Sequence, residues 1–100
     1  KSITAIPRLI DEGRKAQFIF VDGDHKFDSV IVDFVLADHI CALNGHIIFD
    51  DMWMPSIRKV VQFIKENRDD YLSVACPIEN IAVFQKIGSD TRDWRHYVEF

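Results

Sequence analysis

Three aspartates and one histidine stand directly after short apolar runs of the sequence. Residues 18–21 are all aromatic or β-branched, and they are followed by Asp22 and, three residues later, by His25. A second apolar run is followed by Asp50 and Asp51. Carboxylate oxygens are the ligands that Mg²⁺ and similar hard cations prefer, and an imidazole can act as a general base near neutral pH. These residue types would suit a metal-assisted reaction with a proton transfer.

Buried parallel strands would bring these acids together. The run at 18–21 predicts a strand that is buried on both faces, as in parallel sheets. Residues 47–49 predict a second strand, and segment 27–43 between them has the broad apolar face of a helix. A strand, a helix and a strand in this order form a βαβ unit. Because parallel strands lie about 4.8 Å apart and end at one edge of the sheet, Asp22 and Asp50 are expected to share a site.

The rest of the chain completes an α/β pattern. A first helix is expected at 2–12, where Gly13 ends it, and another begins at Pro55 and ends near residue 67. Residues 71–76 and 81–87 predict two antiparallel strands joined by a short connection. The order α, β, α, β, α, β, β predicts the C-terminal half of a Rossmann-like, doubly wound, mainly parallel sheet that ends in an antiparallel β-hairpin.

Composition narrows the possible partners. One hundred residues correspond to a single domain. The net charge is −4 and the basic residues are scattered, which argues against nucleic-acid binding. The apolar runs are too short to cross a bilayer and no signal peptide is present, so no membrane partner is expected. The two cysteines lie far apart in apolar surroundings, which favours reduced thiols and a cytoplasmic location.

The acidic motifs resemble those of class I S-adenosylmethionine-dependent methyltransferases. Segment 22–25, Asp-Gly-Asp-His, resembles the end of the family's fourth strand, where an aspartate is followed three residues later by a base. Segment 45–51 with Pro55 resembles the fifth strand, which follows a glycine and ends in an acidic pair before a proline. The predicted hairpin is similar to the family's antiparallel seventh strand. The resemblance covers roughly residues 1–87 and is closest to the metal-dependent O-methyltransferases of the catechol type and of the sugar and macrolide type.

The resemblance implies an enzyme that transfers a methyl group to a hydroxyl oxygen of a small molecule. Asp22, Asp50 and Asp51 would be ligands of Mg²⁺ or another divalent cation, and His25 would be the catalytic base. Ser2 and Asp22 would contact the cofactor S-adenosylmethionine.

The family's glycine-rich cofactor loop has no counterpart in the sequence and is expected before Lys1. Residues 1–100 are therefore interpreted as the C-terminal portion of a single methyltransferase domain, without its N-terminal cofactor-binding half. This portion alone is expected to be inactive, because it would not hold the cofactor tightly.

Trp53 and Met54 follow the acidic pair, where a wall of the substrate site would lie. Apolar side chains in such a loop can equally pack as a lid or form a contact in a homodimer. Two other functions stay open. An apolar strand followed by acid also occurs beside the P-loop of nucleotide hydrolases, and a domain of this fold could be a non-catalytic binding or dimerisation module. The residues before Lys1 would separate the two enzymes, by a Gly-x-Gly loop or a Gly-Lys-Ser/Thr loop.

Overall fold

A computed structural model of the protein describes residues 15–21 and 26–100. These residues form four strands and two helices, namely β1 (Ala16–Val21), α1 (Phe27–Ile40), β2 (Cys41–Phe49), α2 (Pro55–Asn67), β3 (Tyr71–Val74) and β4 (Ala82–Lys86). The predicted α/β class is confirmed. The helix expected at 2–12 lies outside the described residues.

The four strands form one mixed sheet in the order β1-β2-β4-β3. β1 and β2 are parallel, as expected of a βαβ unit, and the hairpin expectation is also met because β3 and β4 are antiparallel. β4 lies between β2 and β3 and is antiparallel to both. For these strands the sheet is therefore mixed rather than mainly parallel, because the inserted β4 makes two of the three strand pairs antiparallel.

The boundary between α1 and β2 differs from the prediction. The helix was expected to reach residue 43, but α1 ends at Ile40 and β2 begins at Cys41. The pairing with β1 then skips residues 42–45, so that β2 contains an irregular segment there. Asn44 adopts a φ of 68° in this segment, a left-handed conformation that asparagine tolerates better than most residues. Asn44 and Gly45 thus lie in an irregular part of β2 and do not mark the end of the helix.

Gly45 allows β1 and the irregular segment to approach closely. A Cβ atom at this position would lie 2.9 Å from the carbonyl oxygen of Ala42 and 3.1 Å from that of Ala16. Backbone oxygens cannot move aside as a flexible side chain can, so a larger residue would push the two strands apart.

The core lies on one face of the sheet. Both helices pack there, since α1 contacts α2 as well as the strands. Phe34 of α1 meets Tyr71 of β3 edge to face, with ring centroids 5.4 Å apart, and Phe49 of β2 meets Phe84 of β4 in the same way at 6.1 Å. Such aromatic pairs add specific geometry to the burial of apolar area. The core also contains buried side chains of β1 and α2, and it therefore joins all four strands to both helices.

The expectation that the first strand is buried on both faces is wrong. Ile19 and Val21 are buried, but Phe18 is 66% exposed and Phe20 is 65% exposed. Side chains alternate between the two faces of a strand, and the described helices cover only one face. A run of four apolar residues indicated a buried strand but could not show how many faces are covered.

The C-terminal tail returns to α2. The Asn67 amide nitrogen donates to the carbonyl oxygen of Val98 at 2.7 Å, and its amide oxygen accepts from the Val98 backbone N–H at 2.7 Å. The Phe100 ring packs on Phe63 with centroids 5.4 Å apart. The carbonyl oxygen of Phe100 accepts from the Lys59 ammonium at 2.5 Å. In the described part of the chain, no helix is both long enough and apolar enough to cross a membrane.

Candidate functional site

The segment that joins β2 to α2 is a tight turn with two consecutive aspartates; residues 50–54 are called the acidic turn below. The Asp50 carboxylate accepts a hydrogen bond from the backbone N–H of Asp51 at 2.7 Å. Asp51 has a φ of 60°, and its carbonyl oxygen accepts from the Met54 N–H at 2.9 Å. A left-handed non-glycine residue costs free energy and often marks a functional site. The backbone therefore turns sharply where the sequence places its acidic pair.

Two neighbouring elements hold the acidic turn in place. The Arg58 guanidinium on α2 donates to the carbonyl oxygen of Trp53 at 2.6 Å and, more weakly, to that of Met52 at 3.4 Å. The Met52 N–H donates to the carbonyl oxygen of Asn80, in the connection between β3 and β4, at 3.0 Å. Neither contact was expected from the sequence. The spacing from 53 to 58 gave one usable signal, since a side chain in the first turn of a helix can reach the loop before it.

Trp53 and Met54 have different surroundings. The Trp53 side chain is 59% exposed, and its indole N–H donates to Asp51 Oδ1 at 3.4 Å. Met54 is half-buried, packs against the core and precedes the first residue of α2. Of the two candidates for a substrate wall, Trp53 offers an open aromatic surface beside a carboxylate.

The ends of β1 and β2 lie at the same level of the sheet. Val21 pairs with Phe49, the last residue of β2. Asp50 is exposed and Asp51 half-buried at this edge. Among residues 15–21 and 26–100, no group of three or more His, Cys, Asp or Glu side chains is arranged to hold a metal ion. The structure thus supplies two neighbouring carboxylates.

Three of the sequence-predicted site residues lie outside the described residues. Asp22 was expected to bind the metal and the cofactor. His25 was expected to act as the base, and Ser2 was expected to contact the cofactor. The predicted set of Asp22, Asp50 and Asp51 therefore stays a prediction. Its oxygen donors match the preference of Mg²⁺ in chemical type.

A second cluster of charges is buried at the C-terminal ends of both helices. The Arg68 guanidinium donates to both oxygens of Asp70, at 2.9 and 2.8 Å, and to Asp38 of α1 at 3.0 Å. Asp38 also accepts from the Tyr71 hydroxyl at 2.6 Å and lies 3.1 Å from the Lys86 ammonium. The Arg68 side chain is only 3% exposed. This buried ion cluster ties α1 to the strands β3 and β4.

The buried ion cluster shifts the pKa values of Asp38 and Tyr71. Burial alone would raise the pKa of the Asp38 carboxyl, but the hydrogen bonds from Tyr71 and Arg68 outweigh burial and hold that pKa below its usual value. Burial and the bond to Asp38 together raise the pKa of the Tyr71 hydroxyl far above its usual value. The Asp38 carboxylate is therefore ionised and the Tyr71 phenol is neutral, so these two groups stabilise the fold and are poorly suited to take up a proton.

A pocket of about 190 Å³ lies between the C-terminal end of α2 and the tail. All of its lining residues are of polar or charged types, among them Lys65, Asn67, Arg92 and His96. The acidic turn precedes the other end of this thirteen-residue helix, and an α-helix rises about 1.5 Å per residue. The pocket is therefore roughly 20 Å from the aspartates and is not part of their site.

Comparison with known proteins gives one partial match. No family model matches the chain. The chain is similar to a protein of Acanthamoeba polyphaga mimivirus named "Uncharacterized protein R132", with 36% identity over 58 residues. The match covers 50% of this chain and 26% of the viral protein, so the chain spans about a quarter of that relative's length. The name of the relative assigns no activity that could be carried over.

Proposed function

We propose that the chain is the C-terminal portion of a class I S-adenosylmethionine-dependent methyltransferase domain. Its acidic turn would contribute carboxylates to a divalent-metal site that serves methyl transfer to a hydroxyl oxygen of a small molecule. The observation that carries the proposal is the pairing of Val21 with Phe49 at the ends of two parallel strands. In the sequence, Asp22 directly follows the first of these residues and Asp50 directly follows the second.

Covalent geometry makes a shared site feasible. Consecutive Cα atoms are about 3.8 Å apart, and neighbouring strands are separated by about 4.8 Å. Residues that follow two paired strand ends can therefore reach one cation between them. The conformation of the acidic turn supports the proposal further, because Asp51 is held at a positive φ and the turn is fixed by Arg58. A preorganised pair of carboxylates loses little entropy when it binds a metal ion.

The sheet order also supports the proposal. An antiparallel final strand after a short connection belongs to the resemblance, and here β4 has that position and inserts beside β2. In the proposed domain, the parallel strands β1 and β2 would continue a Rossmann-like sheet formed with the N-terminal half. Ligands of such sheets bind outside the carboxyl ends of the parallel strands, which is the edge where Asp50 lies.

Each site residue has a defined role in this proposal. Asp22, Asp50 and Asp51 would hold Mg²⁺ or another divalent cation, which when bound lowers the pKa of a hydroxyl group on the acceptor. His25 would take the proton from that hydroxyl. S-adenosylmethionine, when bound, would supply the methyl group, because its carbon–sulfur bond would break as the acceptor oxygen bonds to the methyl carbon.

Two further residues would orient the reactants. The exposed indole of Trp53 would form a wall beside the acceptor and exclude water from one side of it. Ser2 would contact the adenine side of the cofactor. Both roles concern binding, so their loss should raise the KM for one reactant more than it lowers kcat.

The proposal is tested with the full-length polypeptide that contains this chain. Transfer of a labelled methyl group from S-adenosylmethionine to catechol and sugar acceptors is measured with Mg²⁺, with a chelator, and after Mg²⁺ is restored. We expect the chelator to abolish transfer and Mg²⁺ to restore it. Asp50→Asn should lower kcat/KM by about 100-fold, whereas Asp69→Asn, at an exposed position after α2, should not.

Two results would count against the proposal in different ways. Transfer that is indifferent to the chelator and to Asp50→Asn would remove the metal from the mechanism. If the intact polypeptide neither binds S-adenosylmethionine in calorimetry nor gains thermal stability from it, the methyltransferase function is wrong.

A further inference from the structure

The polar pocket between α2 and the tail has walls that the chain itself holds in place. The two hydrogen bonds between Asn67 and Val98 tie the tail to the last residue of α2. Where the tail begins, the Asp90 carboxylate lies 4.0 Å from the Arg68 guanidinium of the buried ion cluster. Both ends of the tail segment that lines the pocket are therefore anchored to α2 and to the residue that follows it.

The pocket lies away from the part of the fold that the proposed other half of the domain would complete. That half would continue the sheet beyond β1 and cover the face opposite the helices. α2 contacts β3, and β3 is at the other edge of the sheet from β1. Three strand spacings of about 4.8 Å separate these two strands by about 14 Å. The lining residues lie within 65–69 and 91–96, so that half is not needed to form the pocket.

The tail side of the pocket presents a guanidinium group in a fixed orientation. Arg92 donates through Nε and Nη2 to the two carboxylate oxygens of Asp90, at 2.8 and 2.9 Å. Its guanidinium carbon lies 5.8 Å from the centre of the Phe63 ring. A guanidinium has further N–H donors beyond these two, and no acceptor among the described residues is bonded to Nη1. An oriented guanidinium with free donors is suited to a carboxylate.

The α2 side of the pocket presents one charge of each sign. Lys65 and Glu66 are adjacent in the last turn of the helix, and both are exposed. Within the part of the chain that the structure describes, neither side chain has a hydrogen-bond or ion-pair partner. The C-terminal end of a helix also carries a partial negative charge, which favours a cation. An ammonium group would therefore be stabilised beside Glu66, whereas Lys65 adds to the positive charge of Arg92.

We propose that this pocket binds a small polar zwitterion of the amino-acid type. The carboxylate of the ligand would bind between Arg92 and Lys65, and its ammonium group would bind beside Glu66. An anion without the ammonium group would face the Glu66 carboxylate, and a cation without the carboxylate would face two cationic side chains. The Thr91 hydroxyl and the His96 imidazole also line the pocket and suit a polar side chain of the ligand.

The size of the pocket and the exposure of its charges limit the ligand and its affinity. The volume of about 190 Å³ is below the roughly 300–1,000 Å³ of sites for drug-sized molecules, so the ligand is small. Each pairing of exposed charges contributes little in water. The dissociation constant should therefore be about 1 mM. Binding at this pocket does not depend on methyl transfer.

Saturation-transfer NMR of L-glutamine with the full-length polypeptide that contains this chain tests the proposal. Two analogues keep its carbon chain and its amide: glutaramate lacks the ammonium group, and 4-aminobutanamide lacks the carboxylate. We expect each analogue to bind about fivefold more weakly than L-glutamine, or weaker still. Saturating S-adenosylmethionine should leave L-glutamine bound, which separates the pocket from a cofactor site.

Two substitutions of exposed side chains test the orientation of the ligand. Lys65→Gln should weaken the binding of L-glutamine about threefold to fivefold. Glu66→Gln should weaken L-glutamine by a similar factor but strengthen glutaramate, because the like charge that faces this anion is removed. A disturbed fold would weaken both ligands. Glu79→Gln, at an exposed position between β3 and β4, removes the same charge and should change neither affinity.

The proposal is overturned if L-glutamine does not bind at concentrations up to about 20 mM, or if S-adenosylmethionine displaces it. It is also overturned if the three probes bind equally well, or if Glu66→Gln weakens L-glutamine and glutaramate alike. Because binding is measured without methyl transfer, an inactive polypeptide that still binds L-glutamine would count against the proposed function alone.

Discussion

Val21 and Phe49 pair across the parallel strands β1 and β2, and each is the last residue of its strand. The chain therefore leaves the sheet twice at one level and one edge. After Phe49, the second of these strand ends, the chain forms the acidic turn, in which both aspartates have a defined geometry.

The positive φ of Asp51 predicts an unusual order of stability among its variants. Asp51→Gly and Asp51→Ala both remove the carboxylate and its contact with the Trp53 indole, but only glycine adopts a φ near 60° without strain. Asp51→Ala should therefore be less stable than Asp51→Gly by about 1 kcal/mol in urea unfolding. Asparagine tolerates this conformation, so Asp51→Asn should keep the turn. An alanine variant at least as stable as the glycine variant would show that the turn is not held in this conformation.

The buried ion cluster predicts a large effect from a single aspartate. Asp70 is 2% exposed and accepts two hydrogen bonds from Arg68. Asp70→Asn would remove one of the two carboxylates that accept hydrogen bonds from the buried Arg68 guanidinium. We therefore expect a loss of roughly 3 kcal/mol in the free energy of unfolding. The neighbouring Asp69→Asn, at an exposed position, should change it by less than about 0.5 kcal/mol. Equal effects of the two substitutions would mean that the cluster does not stabilise the fold.

Two aspartates with lowered pKa values predict a loss of stability in acid. Asp38 has a lowered pKa, and the hydrogen bond from Arg92 lowers the pKa of Asp90 to about 2. A carboxyl whose pKa falls on folding stabilises the folded state above its unfolded pKa of about 3.9 and loses this contribution as the pH falls through the folded value. The free energy of unfolding should therefore decrease from about pH 4 to about pH 2. Asp38→Asn should make this decrease shallower, and an unchanged slope would refute the assignment.

The two hydrogen bonds between Asn67 and Val98 predict how the tail is held. Asn67→Ala removes both bonds and should free the tail, at a cost of about 1–2 kcal/mol in stability. Trypsin would then cleave after Arg92 and Arg95 faster than in the unmodified chain. Gln62→Ala, at an exposed position on the same helix, is the control and should leave the cleavage rate unchanged. Equal cleavage rates in the two variants would mean that other contacts hold the tail.

The local pattern of the sequence predicted much of the fold. Pro55 and the apolar spacing after it marked α2, and two strand-like runs with a short connection marked the antiparallel pair β3 and β4. The end of α1 was placed too late because Cys41 and the residues after it continue an apolar pattern that suits a helix equally well. Cys41 and the residues after it form a strand because they pair with β1, and no local feature of the sequence indicates this pairing.

Other features were missed because they depend on distant partners. Arg68 lies thirty residues from Asp38 in the sequence, and nothing near either residue indicates the ion pair. The exposure of Phe18 and Phe20 depends on what covers the sheet, which an apolar run does not reveal. For the candidate site, the sequence predicted that two strand ends would lie side by side, and the pairing of β1 with β2 confirms this. The contacts that fix the acidic turn came from the structure alone.

The most direct measurement of the proposed site is a Mn²⁺ titration of the chain, followed through backbone amide signals in NMR spectra. Mn²⁺ replaces Mg²⁺ at oxygen sites and broadens the signals of nearby amides. The proposal predicts that Val21, Phe49 and Asp51 lose their signals first and together, and that Asp50→Asn prevents this loss. Early broadening of Asp51 without Val21, or broadening that begins elsewhere in the chain, would contradict a metal site shared by the two strand ends.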